Sequence, residues 1–203
     1  MVRSNSRLKF QADDSGTVKK GRSNSAMIFK ETKLPGAFII EVQRLEDDRG
    51  FFGRSFCRHE FAGRGLNPEV AQCNISFNRD AGTLRGMHYQ AAPHAEEKVV
   101  RCTRGSLYDV IIDLRRDSPT FRQWIALELT ENNGRMLYIP KGFAHGFQTL
   151  TDNTEVIYQM SEFYHSESSR GVRWNDPAFG IQWPAGDRAI LSDRDRNWPD
   201  YRE

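Results

Sequence analysis

The segment LRGMHYQ, residues 84–90, sets a guanidinium (Arg85) three positions before an imidazole (His88). An imidazole titrates near neutrality and can take a proton from an acidified carbon, whereas the planar fork of arginine suits phosphoryl oxygens. A second histidine, His145, lies in IPKGFAHGF, residues 139–147. A zinc or iron site needs three or four ligands, and these histidines bring no matching set. The positions two away from His88 are Gly86 and Gln90, and the basic Lys98 follows Glu97 where a carboxylate ligand would be sought. No metal or cofactor is expected from this set, and a base held near a bound anion is one reading of the pair beside a structural core histidine. Taken singly, each residue also has an ordinary explanation: His88 as a satisfied wall histidine, Tyr158 as a core aromatic, Lys98 as a surface lysine.

Residues of this kind need a rigid frame, and the chain supplies one in short alternating runs. FIIEVQRLE (38–46), FFGRSF (51–56), EVAQCNISF (69–77), TLRGMHYQ (83–90), KVVRCTRG (98–105) and SLYDVIIDLR (106–115) read as strands. RQWIALELT (122–130), RMLYIP (135–140), HGFQTL (145–150) and EVIYQMSEFY (155–164) continue the pattern. DDRG (47–50) is a turn, RHEFAGRG (58–65) a short helix, and residues 165–203 read as loops with a short helix packed against the sheets. No long stripe with the helical period occurs, so the fold class is all-β, a sandwich or jelly roll with short peripheral helices.

The chain has 203 residues and a net charge of +2, and it contains no run of eighteen apolar residues. Neither a membrane span nor a nucleic-acid partner is expected. Residues 1–26 hold Arg3, Arg7, Lys9, Lys19, Lys20 and Arg22 against Asp13 and Asp14, a net +4, which leaves −2 for the remainder. Such a polar segment cannot offset its ordering entropy, so 1–26 is expected to be a disordered basic leader and 27–203 a single domain. Cys57, Cys73 and Cys102 are odd in number and lack CxxC spacing, which suits reduced thiols in the cytoplasm.

Pro140-x-Gly142-x-x-His145 resembles the second motif of the cupin jelly roll. Across 27–203 the chain is similar to the dTDP-4-dehydrorhamnose 3,5-epimerase family, metal-free cupins acting on sugar nucleotides. The resemblance runs in order through DDRGFF, LRGMHYQ, EKVVRCTRGSLYDVIIDLR, DSPTFRQW, YIPKGFAHGF, EVIYQMSEFY, RGVRWNDPAFGIQWP and LSDRDRNWP. It implies a cupin-type double-stranded β-helix and a nucleoside-diphospho-4-keto-6-deoxyhexose as substrate, inverted at C3, C5 or both. His88 would be the base, oriented by Asp195, Tyr158 the acid on the opposite face, and Lys98 the stabiliser of the C4 oxyanion. Arg85, His145 and Arg49 would bind the pyrophosphate or neighbouring groups. Gln72 and Asn74 would hydrogen-bond the pyrimidine, and Tyr164 would stack on it. The resemblance also implies a homodimer that exchanges N-terminal strands, with DRGFF entering the partner's nucleotide pocket.

Three positions depart from the family pattern. Arg54 stands where a glutamate facing the nucleoside is common, Ser169 where a glutamate precedes RG[IV]RW, and Arg194 where the tail carries lysine. The charge reversal at position 54 bears on the nucleotide, and the proton-transfer set is intact. Three other readings stay open from the residues alone: a C3-only epimerase of a CDP- or GDP-linked sugar, a metal-dependent cupin isomerase or dioxygenase, and a non-catalytic nucleotide-sugar binder.

Overall fold

The computed structural model describes residues 26–202, so the expected leader lies outside the described residues except for Ala26. Thirteen strands form two antiparallel sheets and a hairpin among the described residues. One sheet has the order β1 (Met27–Glu31), β2 (Phe38–Val42), β10 (Met136–Ile139), β7 (Lys98–Arg104), β12 (Thr154–Met160), β5 (Gln72–Asn78). The other runs β13 (Ser169–Gly171), β6 (Leu84–Gln90), β11 (Phe143–Thr149), β8 (Ser106–Asp113), β9 (Trp124–Thr130). β3 (Leu45–Asp47) and β4 (Gly50–Phe52) stand apart as the hairpin. Neighbouring strands come from distant parts of the chain, as jelly-roll crossovers require, and the expected all-β class is observed.

Alternation along each strand sorts side chains into three cores. Val100 and Cys102 of β7, Leu107 and Ile111 of β8, Leu129, Leu137, Phe147 and Val156 fill the space between the sheets. Val110 and Ile112 face the other way and are covered by Val172, Phe179, Ile181 and Trp183 from the C-terminal segment. The outer face of the six-stranded sheet is capped by Phe61 and Leu66 around α1 (Arg58–Ala62), against Ile40, Val99 and Tyr138. Both sheets are thus buried on two faces over much of their area, which leaves the open mouth between them for a ligand.

Two expectations need refinement. The run 38–46 is broken after Val42, and its end forms β3 of the separate hairpin. The C-terminal segment contributes β13 at a sheet edge as well as the short helix α2 (Asp193–Arg196).

Candidate active site

β6 and β11 pair with a register shift: His88 faces His145 and Arg85 faces Phe147, so three steps on β6 match two on β11. The extra residue is a bulge, and it reverses the alternation between Arg85 and His88. Simple alternation would send these side chains to opposite faces; here both line one cleft. Gly86 lies within the bulge, where the strands approach so closely that a Cβ on it would sit 2.6 Å from Cα of Gly146. A Cβ on Gly146 would in turn meet Sδ of Met87 at 2.6 Å. Gly142, in the turn ahead of β11, adopts φ +79°, open to glycine at little cost.

His88 Nε2 lies 2.6 Å from Oδ1 of Asp195. The sequence brings this distant carboxylate into place by two local devices. Ser192 caps α2, its hydroxyl accepting from the Asp195 N–H at 3.2 Å. Trp198 then packs on β13 at Gly171, the residue paired with His88, where any Cβ would strike the indole. Burial works to raise the Asp195 carboxyl, but the hydrogen bond and charge of His88, with the Gly86 N–H and Trp198, outweigh it and hold the group below the usual range. An ionised Asp195 accepts from Nε2–H, which leaves Nδ1 as the basic nitrogen of the ring.

Tyr158, on β12 of the facing sheet, lines the same lobe as His88, Arg85, Lys98, His145 and Asp195, a space of about 300 Å³. Burial, then the nearby Asp109 charge, pushes its phenol far above the ordinary range, with Arg85 and Ser76 working the other way. The environment of Tyr158 therefore favours the protonated phenol. Lys98 Nζ is 3.0 Å from Glu96 Oε1 and 3.4 Å from the carbonyl oxygen of His88, to which it donates. His145 is buried, with Nε2 2.7 Å from Oδ1 of Asp109. Arg85 Nε donates to Asn78 Oδ1 at 2.7 Å.

A second lobe of about 360 Å³ adjoins the first across His88, Lys98, Asn74 and Met160, and it holds Gln72, Tyr164, Ser169 and Arg194. Gln72 Oε1 accepts from the Tyr164 N–H at 3.1 Å, fixing the segment that presents the exposed phenol ring. Arg49 and Arg54 lie elsewhere within this chain. Arg49 bonds Asp47 on the exposed β3–β4 hairpin, and Arg54 pairs with Glu60 at 2.6 Å beside the start of β1. Neither lines either lobe.

The profile of the family described as dTDP-4-dehydrorhamnose 3,5-epimerase matches residues 31–203. The chain belongs to this family. It is 38% identical over 183 residues to the dTDP-4-dehydrorhamnose 3,5-epimerase of Sinorhizobium fredii, covering 90% of this chain and 94% of that protein. The crystal structure of the Bacillus anthracis dTDP-4-dehydrorhamnose 3,5-epimerase with TDP and PPi bound is similar at a TM-score of 0.84 and 43% identity, over 87% of this chain and all of that one. The Legionella pneumophila dTDP-6-deoxy-D-glucose-3,5-epimerase in complex with dTDP-4-keto-L-rhamnose gives 0.81 and 36%, over 86% of this chain and 93% of that one.

Two departures from the epimerase pattern meet in space. Arg194 Nη2 donates to Ser169 Oγ at 2.7 Å, and its guanidinium lies 5.1 Å over the Trp198 ring. The small hydroxyl at 169 accommodates and holds the larger cation at 194, so the two substitutions fit each other inside the second lobe.

Glu96, Tyr89 and Met160 also line the cleft and were not singled out from the sequence. Glu96 had a signal: two residues before Lys98 in an extended segment, it shares that residue's side. One cluster among the described residues brings His94, Glu162 and His165 donor atoms within 4.8 Å of one another. The two imidazoles stack face to face, 3.5 Å apart and 7° from parallel, so their in-plane lone pairs run side by side and do not converge on one ion.

Proposed function

We propose that this chain inverts C3 and C5 of dTDP-4-dehydro-6-deoxy-D-glucose, giving dTDP-4-dehydro-L-rhamnose, by proton transfer next to the C4 ketone. Both hydrogens are acidified by the carbonyl. Nδ1 of His88 removes the proton, and the electron pair moves into the carbonyl to form an enolate whose oxygen faces the Lys98 ammonium. Tyr158 donates its phenolic proton to carbon from the opposite side, the double bond returns to the ketone, and the phenolate and imidazolium reset by proton exchange with solvent before the second carbon reacts. Asp195 holds the imidazole and stabilises the imidazolium, as a carboxylate does for histidine in hydrolytic triads. Arg85 and His145 receive phosphoryl oxygens, and Gln72, Asn74, Tyr164 and Arg194 receive the nucleotide in the second lobe.

The observation that carries this reading is that a histidine bound to a carboxylate and a tyrosine, from opposite sheets, line one lobe with a lysine. The active unit is proposed to be a cytoplasmic homodimer in which the β3–β4 hairpin brings Arg49, and the adjoining chain Arg54, to the partner's second lobe. Support comes from the exposed Phe51 and Phe52 on that hairpin and from Ile75 and Phe77, exposed on edge strand β5.

The test is proton-exchange NMR in D₂O with dTDP-, CDP- and GDP-linked 4-keto-6-deoxyhexoses. Deuterium should enter at C3 and C5 of the dTDP sugar, with the CDP and GDP sugars slower. Exchange confined to C3, or preference for another nucleotide, would replace the substrate assignment, and absence of exchange from all three would overturn the enzyme.

A further inference from the structure

The Glu96 side chain is 3% exposed and lines the second lobe beside Lys98, which borders both lobes. One oxygen, Oε1, faces the ammonium at 3.0 Å. The other, Oε2, is buried without a hydrogen-bond partner among the described residues. Its neighbour Glu97 is differently occupied: it accepts from Asn67 Nδ2 at 3.1 Å and from the Ser161 hydroxyl, tying loops together outside the cleft. Glu96 makes no comparable structural tie.

An ammonium has three donors. Two of those on Lys98 are directed at Glu96 Oε1 and at the His88 carbonyl, which fixes where the third can point. Oε2 repels phosphoryl oxygens and cannot bond a ketone, since both are acceptors. It fits a hydroxyl donor. With Lys98 at the ketone oxygen, that hydroxyl must sit close to the carbonyl carbon. Of the two flanking carbons of a 4-keto-6-deoxyhexose, C5 bears the methyl group and only C3 bears a hydroxyl.

We propose that Glu96 positions Lys98 and holds the C3 hydroxyl of the sugar through Oε2. The inference rests on the proposed function, and it makes Glu96 a residue that favours chemistry at C3 over C5.

The experiment compares wild type, Glu96→Gln and Glu96→Asp by site-resolved deuterium incorporation into the dTDP-linked 4-keto sugar, with dTDP binding measured alongside. Glu96→Gln should slow exchange at both carbons, by about tenfold or more at C3, the loss expected for a hydrogen bond to a charged group. The C3:C5 rate ratio should fall, and dTDP, which lacks the sugar, should lose less affinity than the C3 exchange loses rate. Glu96→Asp retains the charge but withdraws it by one methylene, and should show the same C3-weighted loss if the glutamine variant does not fold. An unchanged C3:C5 ratio, or a loss of dTDP binding in parallel with rate, would overturn the assignment. Absence of exchange in the wild type would instead remove the underlying reaction, so the two failures are distinct.

Discussion

His88 and His145 occupy the same rung of neighbouring strands, yet each is bound to its own carboxylate, Asp195 for one and Asp109 for the other. Cross-strand partners share a face, so both imidazoles point into the cleft region. Exposure separates them: the His88 side chain is 39% exposed, that of His145 only 5%. A base must meet carbon directly, whereas a more deeply buried imidazole in the cleft wall can orient a phosphate or support its neighbours.

The two histidines should therefore differ in kinetics. His88→Asn is expected to lower the turnover rate by about 10²–10⁴-fold, the usual yield of general base catalysis, with dTDP affinity retained. His145→Asn should act mainly through KM. Turnover rates lost equally in both variants would reverse the assignment of the base.

Tyr158 allows proton removal and inversion to be separated. Its phenol, held protonated chiefly by burial, is expected to serve only the face opposite His88. In Tyr158→Phe, His88 can still remove a proton and return a deuteron to the same face. Exchange without inversion should persist, while formation of the inverted product falls by about 10²–10⁴-fold. The measurement is NMR of recovered substrate and product from one D₂O reaction. Loss of both processes together would mean that Tyr158 acts before the proton leaves carbon.

Much of this frame was legible in the sequence because short alternating runs bounded by turns leave few architectures. His88, Lys98, Tyr158 and Asp195 could be named through their motifs, and the cleft does bring them together. The sequence did not reveal the bulge. Period-two reasoning puts Arg85 and His88 on opposite faces, and only the register against β11 shows that both turn inward. Gln72 and Asn74 were ambiguous for a related reason. Alternation in β5 separates polar from apolar residues, but the polar set faces the cleft and apolar Ile75 and Phe77 face outward, the reverse of the usual rule. Ser169 and Arg194 looked like unrelated departures, since a hydrogen bond across 25 residues leaves no local pattern.

Asp195 carries a pH signature. Its folded-state pKa lies below the ordinary aspartate value of 3.8. The unfolded chain therefore takes up its proton first on acidification. The stabilisation is complete above the ordinary value and is lost as pH falls through the lower folded value. Asp195→Asn should destabilise the protein by ~1–3 kcal/mol at neutral pH, and the difference from wild type should shrink across that acidic window. Urea unfolding at several pH values checks this. A stability difference that grows as pH falls through that window would mean that the carboxylate is not held ionised by its partners.

The outward apolar residues lead to an expectation about assembly. Phe52 and Ile75 are each 69% exposed, and Phe51 is half exposed. If the hairpin seats on a second copy, these side chains become buried, and Arg49 and Arg54 reach a nucleotide lobe that neither lines in its own chain. The protein should sediment as a dimer at micromolar concentration. Phe52→Asp should shift it toward monomer and weaken dTDP binding, while the fold, whose cores do not include Phe52, melts cooperatively. Arg49→Ala should weaken dTDP binding without dissociating the dimer, because its guanidinium would contact nucleotide and contribute little apolar area. A monomeric wild type with full exchange activity would confine the site to one chain and return both arginines to the surface.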